Sequence, residues 1–550
     1  MAFNDTSAIQ DWRYLVEITL DSGVVRYSTD NHVLTDGTFY GARLLNVSTL
    51  RLSAGSLLDP RIITPSLSIT LDNSDLSISA AIDAEEWGNR AVSIKVGQGQ
   101  TPGDYQEIFA GVVLFPGGIS FDDAQVFIEL NNSRAADERV LPTSKFFVST
   151  YPNVDTVARN LPIPLIYGDF LTSAGGGETV PCYCIDTTAG TGGKWKIANH
   201  ALKQIEVIYL NGSDITGNCT LDAANGEFTI SATSTYDPIT DTVTANVQGI
   251  TDDGLTTGTL LQSLPDIMED LLTDKLSVSA SALNTAAFAA WESNLNAADY
   301  GRRWIGAELS SNTLLTDLLV DGFADMVIQD GQYFPIYRIA GTSSLDQYRD
   351  FDIIADNSGR KVFSVVRDPE RNYLNEIVAQ YRYNPSGAEY AQRYDAENAA
   401  ALSQVNARKR RRLKLTWLYK TNGAEDRAQR ELLAYSTETE VLDIEIGPRA
   451  ISKIPTDQFR VIYNKYLEVG GFGTPFQVRD IATNFKQMSA TIRAWNVLNL
   501  TPGRWTSDSA TTWLLSTGAQ RAENGYWTDA SGYADTSGSP DETSKRSKYF

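Results

Sequence analysis

Residues 14–20, YLVEITL, fix much of what this chain can become. Tyr14, Val16, Ile18 and Leu20 fall on one parity, Leu15, Glu17 and Thr19 on the other. Asp21-Ser22-Gly23 turns the chain, and residues 24–27 resume it. Period two around a polar, glycine-bearing turn is a β-hairpin pattern. The texture returns at SLSITLDN (66–73), RAVSIKVGQ (90–98), YQEIFAGVVLFP (105–116) and AQVFIELNN (124–132). Such spacing predicts a sandwich or barrel over residues 1–145.

The pattern then shifts twice. YPNVDTVARNLPIPLIYGDF (151–170) has three prolines and no clear period, and reads as a crossing between modules. ETVPCYCID, KQIEVIYLNG and GEFTISATS follow as short strands, predicting a second β-domain over 146–254. From about Leu255 the period is helical. Leu264, Ile267, Met268, Leu271 and Leu272 share a face, with Ser263 as the expected cap and Pro265 in the first turn. Phe288, Trp291 and Leu295, then Leu314, Leu315, Leu318 and Leu319, repeat it. ADMVIQDGQYFPIYRI closes this unit as a hairpin turning at Asp330-Gly331, which predicts a small α/β domain over 255–344. Strands resume over 345–500 around one helix, AEDRAQRELLAYS, expected to lie on the surface with its charges outward. Residues 501–550 are polar and read as an extended tail. The fold class is therefore mainly β with an α/β insertion, in several domains. At roughly 100–200 residues per domain, 550 residues agree with that.

Charge and composition narrow the function. The formal net charge is −22, which disfavours a protein gripping nucleic acid by its phosphates. The N-terminal stretch MAFNDTSAIQDWRY has neither a basic nor an apolar signal region, and synthesis in a cytoplasm is expected. Apolar runs reach about eight residues, short of the roughly 20 a membrane helix needs. Three cysteines rule out a disulfide scaffold. There are two histidines, and neither a zinc-hydrolase motif nor a nucleophile elbow nor a phosphate loop occurs. Cys182, Cys184 and Cys219, with His200 as a fourth ligand, are a metal candidate; small buried residues in β-turns are the favoured reading. DNSDLS (72–77) reads as turn chemistry rather than a calcium loop, and EVGGFGTPF as a loop.

One stretch breaks the acidic pattern. ARKRRRLKLTW crowds Arg408, Lys409, Arg410, Arg411, Arg412 and Lys414 together. As a strand it would put Lys409, Arg411, Leu413, Leu415 and Trp417 on one face. A solvated strand beside acidic neighbours is the favoured reading. Pairing with carboxylates of another subunit makes Arg408, Arg410, Arg411 and Arg412 interface candidates.

The order of these modules resembles the tail hub, or tail-tip, proteins of long-tailed bacteriophages. The likeness lies in ARLLNVSTLRLS with PSLSITLDN, in LPIPLIYGDF followed by KWKIANHALKQIEVIYLNG, in IMEDLLTDKL, TAAFAAWES and LLTDLLVDGFADMVIQDGQYFPIYRI, and in RKRRRLKLTW followed by EDRAQRELLAYSTETEVLDIEIG. The resemblance implies two tail-tube-like β-barrels, over 1–145 and 345–500, with smaller domains outside them. It implies a non-enzymatic homotrimer at the tail tip of the virion that adapts six-fold to three-fold symmetry and gates DNA passage. Expected partners are the distal tail or tail-tube protein, the tape-measure protein and central fibre or receptor-binding proteins. No cofactor, specific nucleic-acid binding or membrane span is expected. Some related tail-tip proteins hold an iron–sulfur cluster on four cysteines; this chain has three, so that property is not carried over. The alternatives are a hexameric distal tail protein and a glycan- or receptor-binding protein, for which Trp527, with Tyr526 and Tyr533, supplies stacking rings.

Overall fold

A computed structural model describes residues 12–496 apart from 55–59, 61, 123, 132–138, 173–177, 190–191, 232–236, 238–240, 330–331, 339–345, 357, 368–372, 437–439, 452, 456, 463–473 and 486. It also describes three strands at 504–507, 525–528 and 547–548. The N-terminal hairpin forms as expected: Arg13–Leu20 pairs antiparallel with Gly23–Ser28, and Leu20 faces Gly23 across the turn. Tyr14, Val16, Ile18 and Leu20 are all buried, because alternate residues of a strand share one face.

From that hairpin the sheet extends both ways. On one side lie Phe39–Ala42 and then His32–Val33. On the other lie Ala91–Gly97, Tyr105–Val113, Gln125–Asn131 and Ser66–Asp72 in turn. The strands Leu44–Val47 and Leu50–Ser53 both pair with Ser66–Asp72. These strands wrap one core containing Val16, Ile69, Ile94, Phe109 and Ile128.

The later strands form a similar curl. Its order is Phe363–Arg367, Glu440–Ile446, Ser489–Asn496, Thr474–Asn484, Gln458–Ile462 and Asp346–Arg349. Its core holds Leu442, Ile444, Phe459, Val478 and Ile492.

The fold is mainly β and multidomain, as expected, and the two strand modules, each with its own core, are joined rather than separate. Seventeen strands of both modules belong to one sheet, and among the described residues their pairings do not close into a ring. One long strand makes the joint. Thr474–Asn484 has eleven residues, and Gln458–Ile462 covers only its first part. The remaining edge takes the N-terminal strand, with Leu50, Arg51, Leu52 and Ser53 opposite Thr483, Ala482, Ile481 and Asp480. Leu52, Ala54 and Ile63 enter the second core, while Ile451 and Phe485 enter the first.

Two further units complete the described chain. Residues 180–248 carry two four-stranded sheets around Cys182, Cys184, Trp195, Phe228 and Val247. The helices Leu264–Asp270, Thr285–Ser293 and Ser311–Asp321 form where the apolar period predicted them. Ser263 occupies the cap position without making a side-chain capping bond, whereas Asn284 and Ser310 do cap their helices. The hairpin Ala324–Gln329 and Gln332–Tyr337 follows, with Asp330-Gly331 outside the described residues. This unit shares its core with Ile377, Leu413, Trp417 and Leu432 from later in the chain.

The helix Thr421–Tyr435 corrects the expectation of a surface helix with charges outward. It packs on the three-stranded sheet of Glu376–Asn384, Glu389–Glu397 and Arg410–Lys414. Arg427 and Glu431, one helical turn apart, are buried together with Ala424, Ala428 and Tyr435. Elements cover this helix on more than one side, so two of its charges lie inside. Residues 501–550, expected as an extended tail, contribute the three short antiparallel strands.

Candidate functional site

The basic run becomes the strand Arg410–Lys414, running parallel to Glu376–Asn384 with Arg410 beside Glu376 and Arg412 beside Val378. Its alternation is the one predicted: Arg411 and Leu413 turn inward, Arg410 and Arg412 outward. The partners are carboxylates of the same chain. Arg410 lies 2.6 Å from Glu376, and Arg408 lies 3.2 Å from Glu376 and 3.4 Å from Glu397. The Arg410 guanidinium holds Glu376 below the usual carboxylate range.

Arg411 points at something the sequence did not single out. It lies 2.8 Å from Glu431, which lies 2.6 Å from Arg427. The Arg427 guanidinium stacks 4.3 Å over the Phe323 ring and donates from Nε to the Val320 carbonyl. A second buried ion group lies beside it. Arg338 donates from Nη2 and Nε to Asp325 at 2.8 and 3.0 Å, and Arg479 reaches the same carboxylate at 3.2 Å. Arg479 also donates to the Ala54 carbonyl, and Ala54 N–H donates back to the Arg479 carbonyl at 2.8 Å. Burial pushes Arg427 and Arg479 down from their ordinary values. Four arginines and two carboxylates thus gather residues from the N-terminal module, the α/β unit and the C-terminal strands. Asp325 had one local signal, a carboxylate amid the apolar strand ADMVIQ; Arg338 and Arg479 had none.

The remaining candidates lie apart from this junction. Cys182 and Cys184 are buried in the 180–248 core and Cys219 is half-buried. Burial pushes Cys184 up to about 12 and Cys219 to about 11, so these thiols stay protonated near neutral pH. His200 accepts at Nε2 from the Ile166 N–H, 3.0 Å away, which leaves Nδ1 to donate to the Ala201 carbonyl at 2.8 Å. Burial pushes it down to about 4. Among the described residues no group of three His, Cys, Asp or Glu is arranged to hold a metal ion. Trp527 lies on the strand Gly525–Thr528, opposite Trp505. DNSDLS is a turn, with Asp75 accepting from Ser77 ahead of the short helix Ser77–Ala84. In EVGGFGTPF, residues 468–473 lie outside the described residues.

No family model and no curated protein matches the chain. Solved structures do. The 43 kDa tail protein of prophage MuSo2 from Shewanella oneidensis aligns over 88% of this chain and 98% of its own, at 9% identity and a TM-score of 0.39. The tail protein from Neisseria meningitidis MC58 aligns over 88% and 96%, at 7% identity and a TM-score of 0.39. A chain of the native gene transfer agent virion aligns over 61% and 84%, at 11% identity and a TM-score of 0.42. The chain resembles phage tail proteins. No helix among the described residues is long and apolar enough to cross a membrane.

Proposed function

We propose that the chain is a structural, non-enzymatic hub of a bacteriophage tail. Copies of it form a trimeric ring at the distal end of the tail tube, between the distal tail or tube protein and the central fibre or receptor-binding proteins. The ring adapts six-fold to three-fold symmetry, anchors the end of the tape-measure protein and opens for DNA. Its place is the tail tip of a virion assembled in the host cytoplasm.

One observation carries this reading: the first and last strand modules share one sheet through residues 50–53 and 480–483. The buried ion junction ties Asp325 of the α/β unit to Arg479, which also holds the Ala54 carbonyl. A formal charge of −22 supports a wall that repels DNA rather than binding it. Gold labelling of intact virions with an antibody to this chain tests the reading. Label at the tail tip with three copies per particle is the expected result. Label along the tail, on the head or on no particle overturns it, and six copies favour the hexameric distal tail protein.

A further inference from the structure

We propose that Arg412 and Lys414 of one copy pair with Asp266, Glu269 and Glu292 of a second copy. The inference rests on the reading of this protein as a multi-copy tail component, and names the surfaces that join the copies.

The cationic half is the outward face of the sheet of Glu376–Asn384, Glu389–Glu397 and Arg410–Lys414. Alternate residues of a strand share a face, so Arg410, Arg412 and Lys414 form one exposed row at intervals of roughly 6.6 Å. The carboxylates of that face are already engaged. Glu376 holds Arg410 and Arg408, Glu397 holds Arg408, and Asp395 holds Arg393 at 2.7 Å. Arg412 lies beside Val378 and Lys414 beside Gln380, and among the described residues neither makes an ion pair. Arg411 points the other way, to Glu431.

The acidic half lies where the helix Leu264–Asp270 packs on the helix Thr285–Ser293. Asp266 and Glu269 are neighbours on the first helix and half-buried, and Glu292 is exposed on the second. Burial pushes Asp266 and Glu269 above the usual carboxylate range. The charges that add to this are all negative: Glu292 and Asp252 act on Asp266, and Asp266 and Glu292 act on Glu269. Among the described residues Asp266, Glu269 and Glu292 make no ion pair. Beside Glu292 opens a cavity of about 160 Å³, lined also by Ser263, Leu264, Asn296 and Asp299. Carboxylates above an apolar wall suit a guanidinium or ammonium group on its alkyl stem.

Two features select a second copy as the occupant. The two surfaces are opposite in charge and neither is matched within its own chain, so each copy supplies what another lacks. Arg412 and Lys414 also stand beside Glu376, Asp395 and Glu397 in a chain of formal charge −22, which disfavours a nucleic acid on the same row.

The test uses the purified full chain, with light scattering over a concentration series at low and high salt. Oligomers that salt weakens are expected. Arg412→Glu sets like charges together and should weaken association by at least about tenfold. Glu292→Arg should do the same, and the two changes in one chain should restore association. Both side chains are exposed, so melting temperatures should hold. Arg412→Gln gives a milder variant with a smaller loss. Carbodiimide coupling of mixed isotope-labelled and unlabelled copies should join Lys414 of one copy to Asp266, Glu269 or Glu292 of the other. Oligomers indifferent to both reversals would overturn these surfaces and leave the multi-copy reading standing. Weakening by each reversal without restoration in the double variant overturns the pairing of the two surfaces. Retention of duplex DNA that Arg412→Glu abolishes overturns a second copy as the occupant. A monomer throughout the series overturns these surfaces, while the copy number per virion decides the multi-copy reading separately.

Discussion

Ser53 Oγ donates to Asp480 Oδ1 at 2.5 Å across 427 residues of chain. The two residues also face each other in the strand pairing that joins the N-terminal and C-terminal modules. Ser53 and Asp480 thus mark where two stretches of similar texture become one sheet.

That joint should behave as a single cooperative unit. Leu52 faces Ile481 and is buried in the second core. Leu52→Ala should cost about 2–5 kcal/mol, as buried leucine truncations do. Hydrogen exchange should show amides of Arg13–Leu20, Glu440–Ile446 and Ser489–Asn496 losing protection together. Loss confined to the N-terminal strands would show that the modules unfold independently.

Within the basic run, only the inward arginine should matter greatly to stability. Arg411→Ala leaves Glu431 with Arg427 alone and removes one charge-assisted contact, which should cost about 1.5–3 kcal/mol. Arg408, an exposed side chain, should cost under about 1 kcal/mol when replaced by Ala. Arg410→Ala should have a small effect that salt masks. Urea titration of the three variants checks the order, and equal losses would contradict it.

Asp321 should make the fold less stable as pH rises. It lies at the end of the Ser311–Asp321 helix, where the helix dipole opposes negative charge. Its Oδ2 accepts from the Trp417 and Leu418 N–H groups at 2.7 and 3.0 Å. Burial pushes it from 3.8 up to about 7. The folded state therefore holds the proton more tightly, and this stabilisation is full below about pH 4 and lost as pH rises through 7. Asp321→Asn should gain on the wild type between pH 5 and pH 8, by at most about 4 kcal/mol. A pH-independent difference would contradict this.

His200 should act in the opposite sense. Its folded value of about 4 lies below the ordinary 6.5. The unfolded chain takes the proton first, so stability falls as pH drops from about 6.5 toward 4. In nuclear magnetic resonance spectra the His200 ring should stay neutral at pH 6, with its Nδ1 proton held by the Ala201 carbonyl. A ring titrating near 6.5 would show the site to be open.

What the sequence determined by itself was local. Tyr14, Val16, Ile18 and Leu20 were readable as one strand face, and Leu314, Leu315, Leu318 and Leu319 as one helix face, because burial of a single face leaves a periodic trace. Even the inward turn of Arg411 was legible from Leu413, Leu415 and Trp417. What only the tertiary structure decided was which edges meet. Residues 50–53 and 480–483 each read as an ordinary strand, and nothing local says that they are neighbours. Backbone hydrogen bonds carry no side-chain identity, so an edge accepts any strand that geometry delivers. Asp325, Arg338, Arg479 and Glu431 were hidden for a related reason. Apart from Asp325, set in an apolar strand, each looks like a surface charge until other parts of the chain fold over it, and only the partner brought by that folding makes its burial tolerable.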